Sequence, residues 1–166
     1  MLKIGLDTES LHLWFQNKRM DIFGYIEKAH ELGFDGIMIN ILKDYNLDPE
    51  WGTLGSNDPE HLRKVRDLLE SYHMYVELAT KGITKEHLLK VLDVAEALGA
   101  DIIRTYIPIT LNPMAVRATG GEGKYDLAKV LGDFDPVVFD EAAMTLREII
   151  PELKKRRIRI ARENHE

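Results

Sequence analysis

The chain has 166 residues, 45% of them hydrophobic and 30% charged, with a formal net charge of −6. That is enough apolar material for one compact domain over residues 1–166, and the acidic balance disfavours a nucleic-acid partner. The absence of cysteine excludes disulfides and thiolate metal sites. No stretch approaches the ~20 apolar residues of a membrane span, nor does the start resemble a signal peptide, so a cytoplasmic protein is expected.

The first element in chain order is a short apolar strand over 3–7. It is followed by Asp7-Thr8-Glu9-Ser10-Leu11-His12 rather than by the G-x-G-x-x-G turn of dinucleotide-binding folds. Residues 25–39 then form an amphipathic helix stopped by Gly33, a position that calls for a left-handed residue, and an apolar strand. Residues 91–103 repeat that plan, with Gly99 in the place of Gly33. Between them, 61–72 reads as a helix leading into a strand over 74–78, with Pro59 marking a first turn and Thr84 an N-cap. A last helix, 140–156, should kink at Pro151 before a strand over 158–161. The basic run Lys154-Lys155-Arg156-Arg157 closes that helix, where cations complement the macrodipole; this reading is preferred to a phosphate-binding patch.

Five strands alternating with four helices call for a parallel sheet with right-handed crossovers. A doubly wound sheet and a (β/α)₈ TIM barrel share this pattern. Repetition of equivalent units and the missing glycine turn favour the barrel, here a partial one of about five parallel strands in the order 1-2-3-4-5, helices outside. The two long connections, 41–57 and 108–136, both follow strands, which places the functional face at the C-terminal end of the sheet. Residues 118–125 look briefly like a phosphate loop. Ala118 stands where the first glycine belongs and Tyr125 where Ser or Thr should be, so they read as an excursion of the fourth βα loop.

The fifth strand runs into Glu163-Asn164-His165-Glu166. Alternation puts Ala161, Glu163 and His165 on one face and Ile160, Arg162 and Asn164 on the other. A carboxylate beyond a small inward alanine is well placed to hold a hard or borderline cation, although periodicity alone favours a solvated chain end. Glu77 and Arg104 could each reach a sugar hydroxyl or phosphate, or pair with one another. His12 lies just beyond the first strand, where substrate-lining residues occur in barrels. Trp14, Phe15 and Trp51 either wall a sugar face or cover the barrel mouth, while His30, His61, His73 and His87 read as surface or packing residues.

The segment Ile160-Ala161-Arg162-Glu163-Asn164-His165-Glu166 resembles the Glu-Asn-His segment of the sugar phosphate isomerase/epimerase superfamily, barrels of the xylose isomerase type. Ala29-x-x-Leu32-Gly33-Phe34-Asp35-Gly36-Ile37 and Ala97-Leu98-Gly99-Ala100-Asp101-Ile102-Ile103-Arg104 support it, so that the resemblance covers the whole chain. It implies a divalent-metal-dependent isomerase or epimerase that moves a proton alpha to a carbonyl through an enediolate, on a small sugar or polyol. Glu163 would be the first ligand of Mn, Mg, Co or Zn and one of the carboxylates that move the proton. The resemblance carries a role over only to Glu163; His12, Glu77, Arg104 and His165 are expected to bind substrate from their places in or just beyond the strands. Related activities are inosose dehydration, hydroxypyruvate isomerisation and abasic-DNA cleavage, the last disfavoured by the acidic charge.

In that superfamily the other metal ligands come from strands six to eight. The expectation is therefore weak or absent metal binding by this chain alone, and an incomplete, inactive fragment. The rival expectation is a non-catalytic half-barrel or assembly module, forming a homo-oligomer or pairing through open sheet edges. Arg162 occupies an outward position where an apolar residue is expected, with snorkelling to the rim the one physical account of it.

Overall fold

The computed structural model describes residues 2–41, 51–106 and 136–162. Strand β1 (Gly5–Asp7) leads into a 3-10 turn (Thr8–Leu11) and a short helix α1 (His12–Gln16). There follow α2 (Ile22–Glu31), β2 (Gly36–Ile41), α3 (Pro59–Ser71), β3 (Tyr75–Lys81), α4 (Lys85–Leu98), β4 (Ile102–Tyr106), α5 (Pro136–Arg156) and β5 (Arg159–Arg162). All neighbouring strands pair parallel in the order β1-β2-β3-β4-β5. The order does not reverse about β1, and α2 packs on α3, α3 on α4, and α4 on α5. The helices therefore form one layer on one face, whereas a doubly wound sheet would carry them on both.

Local chemistry sets the helix ends. Asp58 accepts from the Glu60 and His61 amides with Pro59 at the first helical position, and Thr84 accepts from the His87 amide. Gly99, at φ +77°, closes α4 in the left-handed conformation. Helix α2 begins earlier than its apolar period, because Asp21 caps it through the Gly24 amide at 2.9 Å. Pro151 does not end α5, which runs on to Arg156.

Register separates the two faces of the sheet. Ile37, Ile39, Leu78 and Ile103 are fully buried and meet the helices, where Tyr25, Ile26, Val65 and Leu92 complete the core. Asp7, Met38, Asn40, Glu77 and Arg104 alternate with them and occupy the other face. The Tyr75 ring forms the floor of that face: it lies over Gly36 and its hydroxyl reaches Gly5, while the Lys3 ammonium sits 5.8 Å above the ring. A Cβ on Gly36 would fall inside van der Waals contact with the ring carbons, so the close approach requires glycine there.

Arg104 Nη2 lies 3.3 Å from Asp7 Oδ2, although β4 and β1 are three inter-strand spacings of ~4.8 Å apart. Side chains standing upright on a flat sheet would not meet over that span. The sheet is curved, with this face concave.

Candidate active site

Strand β1 stops at Asp7 while β2 continues to Ile41, so that Asn40, paired with Ala79 of β3 on one side, has no strand partner on the β1 side. Thr8 Oγ1 accepts from the Asn40 amide at 3.0 Å, and the Asn40 carbonyl accepts from the Thr53 amide at 3.0 Å and from Thr53 Oγ1 at 3.1 Å. Thr8, Asn40 and Thr53 are all buried, so each of these groups needs its partner.

The Asn40 side chain extends the lattice. Its Nδ2 donates to Asp7 Oδ1 at 2.5 Å and to Thr8 Oγ1 at 3.2 Å, which commits both amide hydrogens. The carboxylate needs a donor, and that fixes which way the amide points. Thr53 Oγ1 also lies 3.0 Å from Thr8 Oγ1. Thr53 has one hydroxyl hydrogen and Thr8 already accepts twice, so the consistent arrangement has Thr53 donating to the Asn40 carbonyl and Thr8 donating to Thr53. Asp7 Oδ1 additionally accepts from the Glu9 amide at 2.9 Å. The lattice holds Asp7 in one orientation at the C-terminal end of β1.

Two buried polar atoms have no hydrogen-bond partner among the described residues: Asn40 Oδ1 and the Tyr25 hydroxyl. Tyr25 is buried on α2, its ring 5.6 Å from that of Phe15. Burial first, and the Asp7 charge second, push its ionisation well above the ordinary tyrosine value. Tyr25→Phe is expected to leave stability unchanged or raise it by up to about 1 kcal/mol at neutral pH, read from urea denaturation. The sign with pH follows from the raised value. The folded state keeps the Tyr25 proton, so its stability is undiminished below about pH 10 and falls as pH rises beyond that, a loss that Tyr25→Phe removes. A cost above 2 kcal/mol at neutral pH would reveal a hydrogen bond to the hydroxyl.

The cleft residues are arranged in levels. Asp7, Met38 and Glu77 share one level of the register; Asn40, Ala79, Arg104 and Ala161 share the next toward the C-terminal end. Asp7 and Arg104 keep 28% and 26% of their side-chain surface exposed, so their ion pair looks into the cleft. Glu77 is half-buried, two residues beyond Tyr75 on β3. Its charge, after burial, contributes to raising the ionisation of the Tyr75 hydroxyl.

Of the residues expected from sequence, Glu77 and Arg104 thus lie on the concave face, and Arg104 pairs with Asp7. His12 opens α1, just past the 3-10 turn that follows β1, with Nδ1 2.8 Å from the Glu9 carbonyl oxygen. Glu163 and His165 lie outside the described residues, as do residues 118–125. Phe15 and Trp51 belong to the core, and Trp14 is half exposed. Three histidines have packing roles: His61 Nε2 lies 2.8 Å from the Leu54 carbonyl, His87 Nε2 lies 2.7 Å from Thr80 Oγ1, and the His30 ring stacks on Tyr72. In the basic cluster, Arg156 bonds Asp93 at 2.6 Å and Glu96 at 3.0 Å, tying α5 to α4. Arg162 is exposed, at the level of Thr105.

Asp7, Thr8, Asn40 and Thr53 were not singled out by sequence. The available signal was a lone Asn in the apolar strand Gly36-Ile37-Met38-Ile39-Asn40-Ile41, in phase with Met38 rather than with the core isoleucines. Among the described residues, no three His, Asp or Glu side chains come together as a metal site. The Arg104 guanidinium beside Asp7 further opposes a cation there. The described residues do not by themselves fit a divalent metal.

Parallel βα units in chain order, one helical layer, and a polar cluster at the C-terminal ends of the strands define a partial TIM-type barrel. No protein-family model matches the sequence, and no curated protein matches it. Among solved structures, the chain is similar to a xylose isomerase domain containing protein from Salmonella typhimurium LT2, with a TM-score of 0.56 and 11% sequence identity. The match covers 98% of this chain and 51% of that one, so the chain spans about half the length of the structure it resembles. At this identity the likeness concerns the fold. No helix among the described residues is long and apolar enough to cross a membrane.

Proposed function

We propose that the chain supplies part of the substrate cleft of a divalent-metal-dependent isomerase or epimerase acting on a small sugar or polyol. The observation that carries this reading is the Asp7–Asn40–Arg104 cluster, on the concave face at the C-terminal ends of parallel strands, in a fold similar to that of a xylose isomerase domain containing protein. In this reading Arg104 donates to a substrate oxygen, Asp7 accepts from a hydroxyl, and the Tyr75 ring closes the cleft floor to water. Glu77, His12 and His165 line the remaining wall. Glu163, assigned by sequence resemblance, takes or returns the proton alpha to the carbonyl and serves as a ligand of the metal. Among the described residues, no three His, Asp or Glu side chains gather to complete its coordination.

The test is an assay of ketoses and inososes with added Mn²⁺, Mg²⁺ or Co²⁺. The 166-residue chain alone should give no turnover, since one carboxylate does not fix a cation, while a longer chain that contains it should. In that longer chain Glu163→Gln is expected to lower turnover by ~10²–10⁴-fold with the fold unchanged. Full activity in the variant would end the assignment. A second reading, a non-catalytic assembly module, is favoured by the position of β1 and β5 as the outer strands of the sheet. Native mass above that of one chain, with no turnover in any context, would support it.

A further inference from the structure

We infer that a groove on the helical side of the sheet is an effector site for a small carboxylate with an apolar body, separate from the concave cleft and independent of any reading of it. The groove lies where the turn between α1 and α2 faces the segment 52–56 ahead of α3. It has two lobes of about 540 and 480 Å³ that share Phe15, Lys18, Met20 and Asp21 in their walls. Asp7, Glu77 and Arg104 line neither lobe.

Both kinds of surface that such a ligand needs are present. Phe15, Met20, Ile22 and Phe23 supply an apolar wall. Lys18 and Arg19 are exposed beside it, and among the described residues neither has an ion pair or a side-chain hydrogen bond. The exposed cations of α3 differ: Arg63, Lys64 and Arg66 each hold a carboxylate of their own helix. Asp21 is the one carboxylate in either lining, and its Oδ1 already accepts from the Gly24 amide at 2.9 Å. The acids just beyond the lining are committed as well, Asp58 to the first amides of α3 and Glu60 to Lys64. Two cations thus face one carboxylate, and His61, the remaining titratable group, would add to the positive side when protonated. A bare phosphate would leave the apolar wall uncovered and bring a second negative charge toward Asp21. An alcohol would leave both cations unused.

The walls are set before a ligand arrives. The Lys18 and Arg19 amides bond the Phe15 and Trp14 carbonyls, each at 2.9 Å. Opposite them, His61 Nε2 donates to the Leu54 carbonyl at 2.8 Å, and its ring meets the Phe23 ring edge-on with centroids 5.3 Å apart. Thr53 links the groove to the cleft. It lines the larger lobe, and its amide and hydroxyl hold the Asn40 carbonyl in the lattice that orients Asp7. An occupied groove therefore bears on Asp7 through two hydrogen-bonded residues.

The experiment titrates the 166-residue chain with 3-phenylpropionate. NMR signals of the Arg19 Nε–H and the Thr53 amide report on the groove, and the Asn40 side-chain amide reports on the cleft. All three should shift along one saturable curve. 3-Phenylpropanol and inorganic phosphate should each bind at least threefold more weakly, a modest factor because both cations are exposed. Lys18 holds a φ of +53°, which glycine adopts more readily, so Lys18→Gly removes the cation without loss of stability. That variant should weaken 3-phenylpropionate at least threefold, and Lys18→Gly/Arg19→Gln at least tenfold. Signals that do not saturate, equal binding of the alcohol or of phosphate, or an affinity indifferent to the double substitution would overturn the site. Shifts at Arg19 and Thr53 with an unmoved Asn40 amide would overturn its coupling to the cleft.

Discussion

Gly36→Ala is expected to destabilise the fold by about 1–3 kcal/mol, the usual cost of forcing a carbon into a filled space. The new Cβ would press on the Tyr75 ring, which spans from β3 across Gly36 to Gly5. The ring has no simple retreat, because its own strand is paired on both sides and Lys3 sits above it. Chemical denaturation should show a lowered midpoint with little change in slope. The decisive comparison is the double variant Gly36→Ala/Tyr75→Ala. Removal of the ring makes room for the methyl group, so the Gly36 penalty should largely vanish in the Tyr75→Ala background. An equal penalty in both backgrounds would show that the ring is not what forbids a side chain at 36.

Thr8→Val is the second large effect, expected at about 2–3 kcal/mol although the substitution preserves shape. The Thr8 hydroxyl accepts from the Asn40 amide and from Asn40 Nδ2, and it contacts Thr53 Oγ1. Without it two buried donors on Asn40 face a methyl group. Thr53→Val should cost less, about 1 kcal/mol, since the Asn40 carbonyl keeps the Thr53 amide at 3.0 Å. The two substitutions should not add, because each breaks the same chain of hydroxyls. Additive costs in a double-variant cycle would show that the hydroxyls act separately.

Much of this architecture is local in origin and therefore legible in the sequence. Gly33 and Gly99 adopt the left-handed conformation that ends a helix, and Pro59 and Thr84 stand at helix starts where their chemistry fits. Strand lengths were less legible. An apolar-run rule ends β3 at Leu78 and β4 near Ile103, yet both strands continue through Thr80 and Thr105. These threonines are buried because their hydroxyls find the Ile41 and Gly82 carbonyls, partners that only the folded chain supplies. The short helical turns after β1 were missed for another reason: α1 has five residues and leaves Leu13 and Trp14 exposed, so it shows no amphipathic period.

The cleft divides in the same way. Arg104 and Glu77 were legible because strand alternation assigns a face. The partner of Arg104 was not, since Asp7 lies 97 positions away and the two meet through the curvature of the whole sheet. Asn40 was hidden by the apolar strand around it. Its role follows from β1 ending one level early, a tertiary fact with no local signature.

The series of helix and strand contacts has a consequence for how the molecule comes apart. The main contacts run between neighbours in chain order, strand to next strand and helix to next helix, as in a stack of repeats. Such a stack stores its stability in nearest-neighbour interfaces, and its end members have one interface where inner members have two. Amide exchange should therefore be graded along the chain, fastest in β1 and β5 and slowest in β2 and β3, rather than uniform. The Asp7–Arg104 bond skips two strands and ties the first unit to the fourth. It contributes little energy as a partly exposed ion pair, yet it makes the opening of one end a matter for the middle. With that tie in place, the first four units are drawn toward a single unfolding event instead of fraying one by one.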